Sequence, residues 1–168
     1  MHTRALLETL KNAKAFFNNT PDLGEAIRKV LDENTGYKKE IEGFVQEKTA
    51  RLAEKLSKEA SEINGLKVVK FTNSVDPALI KGVAGLLQKQ SENFVFAAAF
   101  EYAEKPNLVL MYSPDLVAKG KNAGKDIREA AKFILGGGGG QPGLATAGGK
   151  NVAGLKDALD KLVEIATA

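Results

Sequence analysis

Gly136-Gly137-Gly138-Gly139-Gly140-Gln141-Pro142-Gly143-Leu144-Ala145-Thr146-Ala147-Gly148-Gly149 is the stretch that decides how this chain is read. Five consecutive glycines reach backbone conformations closed to other residues and let a neighbouring main chain approach to van der Waals range. A flexible spacer would dilute its glycines with Ser and polar filler. Here they resolve at once into the small apolar run Leu144-Ala145-Thr146-Ala147. The segment therefore reads as a binding or close-packing loop with a built geometry, lying between two helical patterns.

Working outward from the glycines, the preceding pattern places Ile127, Ala130, Ala131, Ile134 and Leu135 on the inner side of a helix that restarts near Asn122-Ala123-Gly124. Ser113-Pro114-Asp115 opens the helical region before it. Further upstream, Phe94–Glu101 and Leu108–Tyr112 read as the most buried strands, separated by a turn over 102–107. Leu66–Phe71 is another strand, and Asp76-Pro77 caps a helix carrying Leu79, Ile80, Val83, Leu86 and Leu87. After the glycines, Val152, Leu155, Leu159, Leu162, Val163 and Ile165 form a last amphipathic helix. Residues 65–168 are thus expected to fold as an α/β (α+β) domain, a small sheet flanked by helices.

Residues 1–64 read as a helical arm. Leu6, Leu7, Leu10, Ala13, Phe16 and Phe17 sit at helical spacing and stop at Asn18-Asn19. Thr20-Pro21 offers an N-cap for a second helix that ends at Asn34-Thr35-Gly36. A third helix is expected from about Tyr37 to Glu62, some 26 residues or roughly 40 Å. Its approximately heptad stripe runs through Tyr37, Ile41, Phe44, Val45, Lys48, Leu52 and Leu56, and its other faces alternate Lys, Arg and Glu as a solvated surface does. The stripe must be covered by the first two helices, by another chain as a dimer seam, or by both.

Composition removes several kinds of chemistry. With 43% apolar and 27% charged residues among 168, the chain is of the globular type. Its longest apolar run, Phe94–Phe100, falls far short of the roughly 20 residues of a membrane span, and Met1–Phe17 lacks the apolar centre of a signal peptide. The absence of Cys excludes disulfides and thiolates and fits a reducing cytoplasm. The single His, at position 2, leaves little for a metal centre or a Ser-His-Asp triad. No catalytic and no metal-ligating residue is assigned, and the chain is expected to act by binding.

The cations point to the glycines. Lys119, Lys121, Lys125, Arg128 and Lys132 precede them and Lys150 follows. Positions 121, 125, 128 and 132 are spaced to share one helical face, which could track a phosphate backbone while glycine N–H groups donate to phosphate oxygens. An ATPase-type phosphate loop would need Lys-Ser or Lys-Thr after its last glycine, whereas Gly140 is followed by Gln141-Pro142. A dinucleotide fingerprint would need a strand before the glycines. Phe71, Phe94, Phe96, Phe100 and Phe133 read as core. Tyr102 and Tyr112, at strand ends, are the better candidates to stack on a base, although interface packing is the preferred use of both.

At this motif the chain resembles a known family. The glycine run, preceded by Ala-Gly-Lys-x-Ile-x-x-Ala-Ala-Lys over 123–132, is similar to the signature of the DHHA1 domain shared by alanyl-tRNA synthetases and DHH-family phosphoesterases. A helical arm leading into it looks like the C-terminal region of a bacterial alanyl-tRNA synthetase. The resemblance implies a surface that meets tRNA(Ala) through Gly136, Gly137, Gly138, Gly139, Gly140, Pro142, Gly148 and Gly149. Position 141 is a departure: Gln141 stands where such synthetases usually carry Arg, so the phosphate-pairing fork is missing there. Gly143 likewise replaces an acidic or polar residue.

The resemblance also implies partners. The catalytic and editing domains of a parent chain would ligate alanine to its tRNA with ATP and magnesium and hold zinc, while this portion needs no cofactor of its own. Two other readings are a nucleic-acid-binding lobe of a DHH-family phosphoesterase and a purely structural dimerisation module.

Overall fold

The computed structural model describes residues 2–168, with side chains from Thr3 onward. The side chain of His2, considered above as a metal ligand, lies outside the described residues. The chain forms two units, 1–45 and 46–168.

The first unit contains helix α1 (His2–Ala15) and most of helix α2 (Leu23–Lys58). Asn18 and Asn19, at φ 54° and 58°, take the left-handed turn that Asn tolerates better than other side chains. The cap of α2 is Asp22 rather than Thr20, since its Oδ1 accepts from Glu25 N–H at 2.9 Å. The helix then runs through Asn34-Thr35-Gly36, where the sequence suggested a stop. A glycine ends a helix by turning left-handed, and Gly36 does not. Thr35 Oγ1 bonds back to Leu31 O at 2.8 Å, which keeps its hydroxyl inside the helical frame. One interior glycine costs about 1 kcal/mol, which a 36-residue helix absorbs.

At its other end α2 stops at Lys58, so the expected continuation to Glu62 is replaced by strand β1 (Ser61–Ile63). Asn64 and Gly65, at φ 50° and 78°, form the two-residue hairpin turn into β2 (Leu66–Phe71). The second unit continues with α3 (Pro77–Gln90), β3 (Phe94–Tyr102), β4 (Lys105–Tyr112), α4 (Pro114–Ala118), α5 (Ala123–Ala131), β5 (Gly137–Gln141), β6 (Leu144–Gly148) and α6 (Leu155–Thr167). The sheet order is β1-β2-β3-β4-β6-β5, with only β2 and β3 parallel. The glycine run is therefore an edge strand, not a loop.

Side-chain alternation along β3 explains the two cores. Val95, Ala97 and Ala99 face α5 and α6, while Phe94, Phe96, Ala98 and Phe100 face α3 and the end of α2 around Ala53 and Leu56. A strand buried on both faces reads as a continuous apolar run, as Phe94–Phe100 does. Phe71 stacks edge-on against Phe100, centroids 6.2 Å apart. Two aromatic expectations fail. Phe133 is 42% exposed, and Tyr112 is fully buried because β4 lies between two neighbours in the middle of the sheet.

Asp115 ties the loop before β3 to the start of α4. Its carboxylate accepts from Asn93 N–H at 3.0 Å, and the hydroxyl of Ser113 accepts from Phe94 N–H. Burial pushes the Asp115 carboxyl up, but hydrogen bonds from Ser113, Asn93 and its own N–H, with Lys119 nearby, outweigh it and hold the group below the usual carboxylate range. A depressed folded-state pKa gives stability that is present above about pH 4 and lost as pH falls through the folded value. Asp115→Asn is expected to cost about 1 kcal/mol at neutral pH and to flatten the acid limb. Urea unfolding from pH 6 to pH 2 reads both effects.

Candidate functional site

The hairpin of β5 and β6 pairs Gly137 with Gly148, Gly139 with Thr146 and Gln141 with Leu144, turning at Pro142-Gly143. A Cβ placed at Gly136 would lie 2.6 Å from Gly149 Cα, one at Gly138 2.5 Å from Ala147 Cα, and one at Gly140 2.6 Å from Ala145 Cα. The same atom at Gly137 meets nothing within 4 Å, and at Gly139 only the Arg128 guanidinium at 3.6 Å. Alternate glycines thus have different reasons to be glycine. The even ones let two backbones close up, and the odd ones leave the outer side bare.

Helix α5 lies against this strand by the same device. A Cβ at Gly124 would be 2.6 Å from Gly140 O, so a second glycine, absent from the predicted site, sets the approach. Asn122 caps the helix through Lys125 N–H at 3.1 Å, and Ala123 N–H donates to Pro142 O at 2.8 Å. Tyr112 Oη donates to Asp126 at 2.7 Å, fixing α5 to the end of β4. Burial, with the Asp126 carboxylate beside it, keeps that phenol protonated far above its ordinary range. Gly143 faces the Gln88 amide, whose Nε2 donates to Tyr112 O at 3.3 Å and lies where a side chain at 143 would begin.

The predicted cations separate into engaged and unengaged groups. Lys119 Nζ donates to Asn93 Oδ1 at 3.1 Å and stands 4.0 Å from Asp115. Lys121 lies before α5 begins and donates to Ile165 O and Ala168 O at 3.0 and 3.2 Å. Lys132, at the C-cap of α5, pairs with Glu129 at 2.6 Å. Lys125, Arg128 and Lys150 are exposed and make no side-chain hydrogen bond or ion pair among the described residues. The four-residue basic face read from spacing reduces to Lys125 and Arg128, one helical turn apart on α5. Arg128 brings a planar fork to the strand where Gln141 lacks one.

Gln141 and Pro142 are exposed at the hairpin end, Gly148 lies opposite Gly137, and Gly149 packs on the Ile134 backbone, where a Cβ would lie 2.8 Å from Ile134 Cγ1. The Lys150 backbone N–H donates to Ile134 O at 2.8 Å. Among the described residues no three His, Cys, Asp or Glu side chains converge as a metal site, and no helix is long and apolar enough to cross a membrane.

Residues 64–168 match the DHHA1 domain family. An alanine–tRNA ligase of Bacteroides fragilis is 51% identical over 160 residues, which is 95% of this chain and 18% of that protein. The alanine–tRNA ligase of Bacteroides thetaiotaomicron is 48% identical over the same shares of the two chains. The chain thus spans less than a fifth of the length of these curated relatives. The C-Ala domain of alanyl-tRNA synthetase from Aquifex aeolicus superimposes with a TM-score of 0.59 at 27% identity, over 65% of this chain and 98% of that one. RecJ from Thermus thermophilus superimposes at 0.53 with 14% identity over 93% of this chain and 24% of RecJ, a likeness of fold alone.

Proposed function

The chain belongs to the DHHA1 domain family, in the form carried by the C-terminal region of bacterial alanyl-tRNA synthetases, and from that premise we propose that it binds tRNA for such an enzyme. One observation carries the reading. The Arg128 guanidinium, without an acidic partner among the described residues, stands beside a bare polyglycine edge strand. Phosphate oxygens accept from Arg in a bidentate fork and from backbone N–H groups, and Lys125 adds a second cation on the same face. The role is to hold the tRNA corner and help present alanine tRNA to the catalytic and editing domains of the longer chain. Alanylation with ATP and magnesium, and any zinc site, belong to that remainder, which we place in the cytoplasm.

The test is binding of the chain to alanine tRNA, a non-cognate tRNA and a short single strand across a salt series. Affinity should fall linearly on logarithmic axes, with about one unit of slope for each phosphate contact. Lys121→Ala and Lys132→Ala should change tRNA affinity less than about twofold, because both ammonium groups are already engaged and surface pairs contribute little. Absence of binding to any RNA at 50 mM salt, a concentration favouring such contacts, would reject the proposal.

A second reading concerns the arm and is compatible with the first. Leu7, Leu10, Leu31, Tyr37, Ile41 and Phe44 are exposed apolar side chains on α1 and α2. An apolar helical stripe of this kind seeks a partner, and we propose that a second copy of the arm covers it. Sedimentation at rising concentration should give a dimer in the wild type and a monomer in Phe44→Glu. A wild type that stays monomeric at every concentration excludes it.

A further inference from the structure

The outer side of the glycine hairpin carries a groove to which no residue of the α5 basic face contributes. Helix α3 forms one wall with Pro77, Ala78, Lys81 and Gln88, and Gly137, Gly139, Gly140 and Gln141 of β5 form the opposite rim. Two cavities of about 400 and 420 Å³ share Lys81 and Thr146 and so make one trough along the strand. Its floor is Val109, Leu144 and Thr146, and no carboxylate lines it. The Lys81 ammonium, the Thr146 hydroxyl and the Gln141 amide make no hydrogen bond among the described residues. Strand β5 is the edge of the sheet, so among the described residues its outward backbone groups have no ladder partner.

These features select an occupant. A single cation at the centre, uncharged donors and acceptors at both ends, and a bare main-chain rim suit an extended polyanion with exposed hydrogen-bonding edges. Each cavity is within the range that takes one small ligand. A duplex hides its base edges and presents a convex backbone that the α3 wall keeps out, whereas an unpaired strand can lie along the trough with its bases turned to the Gln141 amide. No aromatic residue lines the groove, so hydrogen bonds and phosphate contacts, not stacking, would hold the strand.

We propose that this groove holds two consecutive unpaired nucleotides of the bound RNA, with a phosphate on Lys81 and a ribose or base edge on Thr146 and Gln141. The proposal rests on the RNA-binding reading above and adds to it the class of RNA recognised, single-stranded, and a residue on α3 that recognises it. Arg128 borders the same strand near Gly139 and is expected to hold the neighbouring phosphate.

Fluorescence anisotropy of the 168-residue chain with a labelled single-stranded hexanucleotide RNA and the blunt duplex of the same sequence tests it. The single strand should bind at least tenfold more tightly than the duplex. Lys81→Ala should weaken the single strand about tenfold and lower the salt slope by about 0.7, the single-strand value for one phosphate. Lys81→Arg should restore both, and thermal melts should leave all three proteins equally stable, since Lys81 is exposed and unpaired. Equal binding of duplex and single strand, or an unchanged affinity in Lys81→Ala, overturns the groove. If in that case Arg128→Ala still weakens tRNA, the tRNA reading stands without it. If no RNA binds, both fall.

Discussion

Gly138→Ala is expected to destabilise the domain by about 3 kcal/mol, because the new methyl would overlap the backbone of β6 and overpacking of this kind costs 1–3 kcal/mol or more. For a unit of this size that lowers the melting midpoint by about 6–12 °C. The matched control is Gly137→Ala, one residue away, where the added carbon meets nothing within 4 Å. Its φ does not lie in the left-handed region, so Ala is tolerated there. Ala reduces the entropy of the unfolded chain and should leave stability unchanged or raise it by about 0.5 kcal/mol. Calorimetry on the two variants separates an alternating strand from a flexible loop, which would treat adjacent glycines alike. Equal effects at 137 and 138 would refute the strand.

The second large effect concerns binding. Arg128→Ala removes the fork beside Gly139 while leaving no buried group unpaired, since the guanidinium has no partner among the described residues. A hydrogen bond to a charged phosphate is worth about 1.5–3 kcal/mol, so tRNA affinity should fall about ten- to a hundredfold. The salt slope should decrease by about one unit. Arg128→Lys should recover the charge but not the bidentate geometry, returning the slope with only part of the affinity. Melting midpoints of both variants should match the wild type. A variant that binds tRNA as the wild type does would move the contact off the glycine hairpin.

What was legible in the sequence was local. Asp76-Pro77 and Asn122-Ala123-Gly124 state their helix starts within a few residues, and the structure has them there. The alternation of β3 cannot be seen in Phe94–Phe100 because both faces are buried, yet the run itself gives the strand away. Polyglycine carries no strand propensity, so β5 is a strand only because β6 returns beside it. Asn34-Thr35-Gly36 has the composition of a stop, but the backbone of Gly36 stays out of the left-handed region.

The candidate site divides along the same line. Lys125 and Arg128 could be placed on one face by their spacing alone. That Lys121 is drawn to the C-terminal end of α6, 44 residues away, is a tertiary fact with no sequence signal. So is the position of Lys81 across from the glycines. Thr146 did leave a trace, as the single polar residue in Leu144–Ala147. Alternation puts it on the face opposite Ala145 and Ala147, which belong to the core beneath α5 and α6.

The central claim is that RNA lies along the outer edge of the glycine strand. Hydrogen–deuterium exchange of the chain with and without alanine tRNA reads that edge directly, because amides of β5 without a ladder partner exchange freely until something covers them. Slowed exchange over Gly136–Gln141 and the first turns of α5, with the arm unchanged, is the predicted result. Protection confined to α1 and α2, with β5 exchanging as in the free protein, would contradict it.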